Sequence, residues 1–344
     1  MYNSDSLFWH SNLDNLEYLS DDKNLIVGTQ NSIKILSELI PKNIFQNSEV
    51  LTRVSGYPNV KEMELLSSKS NCQRDFDNLI CIGGGGTIDF GKLIVSDLPK
   101  FGVIYKIPRI VLVPTNVGSG AEITRYSTLW NYESRVKTSV VLPESIQSEI
   151  YYIEAPLKSL SNMQIEIGTL DALAHSFDSL FSKKSDPLTR VTAKHNIQAI
   201  CEILDSYYDN QISLTDSLVD LQIYSCIGGL CINQTKSSVS HAFSYGLTLE
   251  FGIAHGYSVA LMMQIAIKKF KYDLSQIYPD LLKTIEIIEK TLIKANLDQK
   301  IPDFKFLISE NIDQLANQVD KVRLENFILN IEPYKYKDFL MSQE

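Results

Sequence analysis

The chain has 344 residues, of which 44% are hydrophobic and 21% charged, with a formal net charge of −9. That length accommodates two domains with large buried cores, and the acidic balance argues against a general nucleic-acid binder, which carries a basic surface. No apolar run is long enough to span a bilayer and no basic-then-apolar leader opens the chain, so the expectation is a cytoplasmic protein with no nucleic-acid and no membrane partner.

The five cysteines have no CxxC spacing, and most sit among apolar neighbours. They predict buried free thiols and a reducing compartment. Residues 1–22 are polar with scattered aromatics and are expected to wrap onto the body. Lys23–Gly28 reads as a short buried strand, Ser32–Leu39 as a helix, and Ser48–Ser55 as a second strand before the Gly56–Asn59 turn. Val60–Ser68 is helical by apolar spacing. Asn78–Ile82 is an unbroken apolar run before glycines, as in a central parallel strand. Ile88–Ser96 follows as a helix and Ile110–Pro114 as another buried strand. Strand and helix alternate to about residue 155, which predicts a parallel α/β sheet.

From about residue 160 the texture changes. Segments 169–182, 186–209, 214–232, 235–249, 255–270, 277–295 and 308–330 all read as helices, and the tail beyond Pro333 gives no signal. The predicted domains are therefore 1–158, α/β and dinucleotide-binding, and 159–344, all-α and metal-binding.

Gly83–Asp89 joins a buried strand to a helix with four consecutive glycines. Glycines let backbone approach a pyrophosphate, and a following helix N-terminus favours its charge. Pro114–Glu122, after the next strand, adds small residues and hydroxyls at the edge where α/β sheets bind ligands. The stretch Gly168–His175 reads as the start of an apolar helix. It sets Asp171 and His175 four residues apart, on one helix face. His241 and His255 follow in another apolar region. One carboxylate and three imidazoles without cysteine suit a divalent metal, Fe(II) or Zn(II), with an open position. His10 and His195 carry no motif.

Several of these stretches together resemble the iron-containing (group III) alcohol dehydrogenase family. Gly83–Asp89 is similar to its GGGSxxD motif, Pro114–Glu122 to PTTxGTGSE, and Asp171–His175 to DAxxH; His241 and His255 match its two later ligand histidines in order and spacing. The resemblance runs from about Lys23 to Leu261. It implies an N-terminal Rossmann-like nucleotide domain, an all-α C-terminal domain, and a homodimer. It implies Asp171, His175, His241 and His255 as metal ligands, with Fe(II) favoured and Zn(II) as the other candidate. It also implies NAD(P)H contact at or near Gly84, Gly85, Gly86, Asp89, Thr115, Ser119 and Lys137. The expected activity is metal-dependent, NAD(P)H-linked reduction of an aldehyde to a primary alcohol.

The chain departs from the family pattern at three places. A histidine usual four residues after the first later ligand is Tyr245, so a proton relay there would pass through Tyr245 or water. The usual Thr-Thr is Thr115-Asn116. The first strand ends Val27-Gly28-Thr29-Gln30 without the carboxylate that contacts the adenosine ribose, which tolerates a 2′-phosphate, while no Arg stands nearby to select it. Arg125 and Lys236 lie close to the site motifs and suit an anionic substrate. Their segments are similar to the phosphonoacetaldehyde reductase branch of the family, which makes 2-hydroxyethylphosphonate. The expected partner is thus a small anionic aldehyde. The alternatives are a dehydrogenase of an uncharged short alcohol, diol or hydroxyacid, a dehydroquinate-synthase-like cyclase, and an inactive dinucleotide-binding scaffold.

Overall fold

The computed structural model describes residues 7–8, 13–54, 56–68, 76–96, 108–134, 136–142 and 148–343. His10 and Cys72 lie outside the described residues. The chain divides into two compact units, Met1–Ser159 and Leu160–Glu344.

In the first unit the apolar runs pair as an all-parallel sheet. Its strands are β1 (Leu7–Phe8), β2 (Asn24–Gly28), β3 (Ser48–Thr52), β4 (Asn78–Gly83), β5 (Arg109–Pro114) and β8 (Ser148–Tyr151), in the order β1-β8-β5-β4-β2-β3. β2 and β4 are buried along their whole lengths, as parallel strands covered on both faces must be. Leu13, Leu16 and Leu19 join Ile26, Ile80, Val111 and Ile153 in one core. The helices are α1 (Gln30–Leu39), α2 (Val60–Ser68) and α3 (Gly85–Ser96). The strand order reverses between β2 and β4, and ligands of such sheets bind outside the carboxyl ends at that point.

Two expectations here are corrected. α3 starts at Gly85 rather than Ile88, because the glycines themselves form its first turn, with Thr87 and Ile88 N–H donating to the Gly84 carbonyl. The strand–helix alternation is also broken: β6 (Tyr126–Asn131) and β7 (Val136–Val141) form a separate antiparallel hairpin.

The second unit is all-α. It comprises α4 (Asn162–Leu180), α5 (Pro187–Tyr208), α6 (Leu218–Thr235), α7 (Val239–Phe251), α8 (His255–Ile277) and α9 (Leu282–Ala295), followed by short helices. α4 is the centre, packed by α5, α6 and α8. Its start lies well before Gly168, so the Asp171–His175 stretch is mid-helix. A capping box sets that start: Gln164 N–H donates to Ser161 Oγ at 3.3 Å, and Ser161 N–H donates to Gln164 Oε1 at 2.9 Å. The expected helix 308–330 is instead divided among Phe304–Glu310, Ile312–Asn317 and Lys321–Leu324, the last started by Asp320, which accepts from Arg323 N–H at 3.1 Å and caps a new turn. The tail is folded as well. Phe339 is fully buried and stacks on Phe243 at 4.1 Å between centroids. Among the described residues no helix is long and apolar enough to cross a membrane.

Candidate functional site

Every residue of α4 from Thr169 to Leu180 is buried, as expected of a helix packed on all sides. Yet five of these side chains beyond Thr169 are polar, and buried polar atoms need partners. Ser176 donates to the Ala172 carbonyl and accepts from Asn196 at 2.8 Å. Ser179 accepts from Thr235 at 2.9 Å. Asp178 accepts from the start of α7: Ser238 N–H at 2.7 Å, Ser240 N–H at 3.0 Å and the His241 ring Nδ1 at 2.9 Å. That leaves Asp171 and His175. Among the described residues, Asp171 Oδ1, His175 Nδ1 and His241 Nε2 are buried without a hydrogen-bond partner.

Three imidazole nitrogens converge on Asp171 Oδ1. The Nε2 atoms of His241, His175 and His255 lie 3.4, 3.6 and 3.8 Å from Asp171 Oδ1. The His175 and His241 rings stack at 4.8 Å. Ligands bonded at ~2.1 Å to a tetrahedral ion sit about 3.4 Å apart; Asp171, His175 and His241 lie close enough together to share an ion, and His255 Nε2, 3.8 Å from Asp171 Oδ1, stands as the fourth candidate. Burial holds His175 down to about 4, which keeps it a neutral donor at physiological pH. Burial would raise Asp171, but the neighbouring imidazoles outweigh it and hold the carboxylate well below its usual range.

Other residues aim the ligands. Asp178 Oδ2 lies 2.9 Å from His241 Nδ1, and by accepting an N–H there it would leave the Nε2 lone pair facing Asp171. Because the same carboxylate accepts the first backbone N–H groups of α7, it caps that helix from another helix. His255 opens α8, and its place depends on Gly256, where an added Cβ would overlap the Ile167 carbonyl of α4. Next to it, Tyr257 donates to Glu166 Oε2 at 3.1 Å, Tyr208 donates to Oε1 at 2.8 Å, and Lys300 pairs with the same carboxylate. Asp178 and Glu166 escaped the reading of the sequence. The signal available for Asp178 was its spacing of seven from Asp171, which keeps it on the same helix face.

In the sheet unit the two small-residue loops meet. Gly83 pairs with Pro114, so both chains leave the sheet side by side. A Cβ at Gly84 would lie 2.8 Å from Asn116 Nδ2, and one at Gly85 would lie 2.5 Å from Ser119 Oγ. Thr115 N–H donates to the Gly83 carbonyl at 3.0 Å. Asp89 is committed to the hairpin: its Oδ2 accepts from Thr128 Oγ1 at 2.8 Å and Thr128 N–H at 3.0 Å. Burial raises the Asp89 pKa, opposed chiefly by the nearby Lys92 and least by Lys137, which lies over Trp130 at 5.1 Å. Thr29 caps α1 through Ser32.

One expectation is overturned here. An arginine does stand beside the end of β2: Arg53 N–H donates to the Gly28 carbonyl at 2.9 Å. Its guanidinium is held by Glu62 in two 3.0 Å bonds and also reaches the Gly56 carbonyl and Thr87 Oγ1. Lys92 was also missed, although a lone lysine in the apolar run Ile88–Val95 was visible. Its ammonium is buried among the Ala121 carbonyl, the Thr124 carbonyl at 2.8 Å and the Tyr126 carbonyl at 3.0 Å, and burial pushes its pKa down. It ties α3 to the loop that carries Ser119. Lys92→Met leaves these acceptors buried without the ammonium and is expected to cost about 3 kcal/mol in urea denaturation.

The two cations flagged by sequence fall in different units. Arg125 donates Nη2 to the Leu142 carbonyl at 3.3 Å within the sheet unit. Lys236 is exposed at the end of α6 with φ of 64°. Tyr245 is buried, with its ring parallel to His255 at 6.2 Å. His195 is exposed.

Residues 7–150 match the family described as iron-containing alcohol dehydrogenase, and residues 166–306 match the C-terminal part of the Fe-containing alcohol dehydrogenase family. A phosphonoacetaldehyde reductase of Streptomyces viridochromogenes is 32% identical over 204 residues, 54% of this chain and 51% of that protein. A 1,3-propanediol dehydrogenase of Klebsiella pneumoniae is 26% identical over 227 residues, 60% of this chain and 56% of the other. These matches span about half the length of either curated relative. Among solved structures, a sulfoacetaldehyde reductase from Bifidobacterium kashiwanohense in complex with NAD+ superposes with a TM-score of 0.78 at 18% identity, covering 100% of this chain and 99% of that one. An iron containing alcohol dehydrogenase superposes at 0.77 with 20% identity, covering 98% and 97%.

Proposed function

Because this chain belongs to the iron-containing alcohol dehydrogenase family, we propose that it reduces an aldehyde to a primary alcohol with NAD(P)H and a divalent metal. The observation that carries the reading is the convergence of three imidazole Nε2 atoms within 3.8 Å of Asp171 Oδ1. Asp171, His175, His241 and His255 would hold Fe(II) or Zn(II), and the loops around Gly84–Gly86 and Thr115–Ser119 would hold the dinucleotide, with Asp89 and Lys137 supporting them. When bound, the ion supplies Lewis acidity towards a carbonyl oxygen and the nicotinamide supplies the hydride.

The protein's part is orientation and charge. With an ion bound, one carboxylate and three imidazoles would offset only half of a divalent charge, which would keep the site electrophilic. Asp178 fixes the His241 tautomer, and Gly256 lets His255 approach. Burial pushes the Tyr245 phenol up, so it stays protonated and keeps its hydroxyl as a hydrogen-bond donor beside His255. The substrate we favour is phosphonoacetaldehyde, supported by the similarity to the Streptomyces reductase and by cations near the site motifs. A dehydrogenase of an uncharged diol is the second reading, supported by the similarity to the Klebsiella enzyme.

The protein reconstituted with Fe(II) or Zn(II) should oxidise NADH or NADPH when given an aldehyde, fastest with phosphonoacetaldehyde, and should lose that activity to a chelator. Equal turnover of phosphonoacetaldehyde and uncharged aldehydes would remove the substrate reading. No metal-dependent turnover across the panel would remove the enzyme reading in favour of a binding scaffold.

A further inference from the structure

We propose that Arg323 is the residue of the helical unit that recognises the negatively charged end of the substrate, a proposal that rests on the anionic-aldehyde reading above. Its guanidinium lies over the Tyr245 ring, 5.5 Å from the centroid. That ring in turn lies parallel to His255, 6° between planes at 6.2 Å. Arg323 is therefore one aromatic ring removed from the ligand cluster.

The guanidinium is held in a fixed plane. Asp320 accepts from Nε at 3.2 Å, and Ser237 Oγ accepts from Nη1. Ser237 adjoins Ser238, whose N–H donates to Asp178 at 2.7 Å, so the loop that seats Arg323 also starts the helix carrying His241. A preset fork of this kind suits the paired oxygens of a phosphonate or carboxylate better than a flexible ammonium does. The Arg323 side chain keeps 20% of its surface exposed, so it is accessible though largely packed. Tyr245 completes the arrangement. A histidine there could protonate and repel the guanidinium, whereas a phenol ring gives it a neutral face.

The test compares the metal-reconstituted full chain with Arg323→Gln and Arg323→Lys. The readout is the ratio of kcat/KM for phosphonoacetaldehyde to that for propionaldehyde. The ratio should fall roughly 10- to 100-fold in R323Q, mostly through KM, and recover in part in R323K. Metal content should stay at the wild-type level. An unchanged ratio, or an equal loss with both aldehydes, overturns the proposal. Should R323Q fail to fold, methylphosphonate decides. Competition with the aldehyde in wild type, weakened roughly tenfold in R323K, supports the role, and equal inhibition of both overturns it. A wild type that shows no preference for phosphonoacetaldehyde sinks the substrate reading, and the methylphosphonate experiment then judges Arg323 separately.

Discussion

Asp178→Asn is expected to weaken metal binding roughly 10- to 100-fold without removing any ligand. Both oxygens of Asp178 accept hydrogen bonds, from Ser238 N–H, Ser240 N–H and His241 Nδ1. These bonds outweigh the effect of burial and hold the carboxylate ionised. An amide has only one accepting end. If its nitrogen faces Nδ1, the ring must carry its proton on Nε2 instead, and the lone pair aimed at Asp171 is lost. If its nitrogen faces Ser240, donor meets donor at the start of α7. Competition against a colorimetric chelator measures the affinity, with circular dichroism to show that the helices persist. Wild-type affinity in D178N would sink the tautomer argument. Asp178→Ala should in addition cost about 3–5 kcal/mol in stability, because it leaves these donors buried without an acceptor.

The second large effect is expected at Gly256. In Gly256→Val the new side chain must occupy the place of the Ile167 carbonyl, which is backbone and cannot turn aside. The start of α8 then moves away from α4, and with it His255, whose Nε2 lies 3.8 Å from Asp171 Oδ1. A displacement of ~1 Å at a reacting centre can cost about 100-fold in rate. The kcat/KM of G256V should therefore drop by roughly that factor, together with metal content. Alanine should give a smaller loss of the same kind. Full activity and metal in G256V would show that His255 is placed by something other than this close approach.

Sequence and structure agree most where the signal is local. β2, β4 and β5 are short apolar runs ended by glycine or proline, and both faces of the sheet reward them equally. The candidate metal-binding residues were legible because metal-binding chemistry limits the residue types, so His241 and His255 stood out against apolar neighbours. What escaped is held by distant partners. Nothing near Asp178 says that it will cap a helix 60 residues away. Lys92 reads as a surface charge until the carbonyls of Ala121, Thr124 and Tyr126 surround it. The hairpin β6–β7 is hidden because Tyr126–Asn131 and Val136–Val141 pair with each other outside the main sheet. The region after residue 308 misled in the opposite sense. Its apolar spacing suits one long helix, yet Asp320 ends that pattern by starting a new turn.

The cap that Asp178 places on α7 also bears on the order in which the chain folds. α7 has no side-chain cap of its own, since Ser238 makes none. Its first turn gains its acceptor only when a loop of some 60 residues has closed, and the chain must meet the entropy of that closure before the bond forms. His241 is therefore expected to reach its place late, after α4 has docked in its packing. In refolding experiments, fluorescence or exchange protection of the helical core should rise before metal uptake, and adding the ion at the outset should leave the early phase unaccelerated.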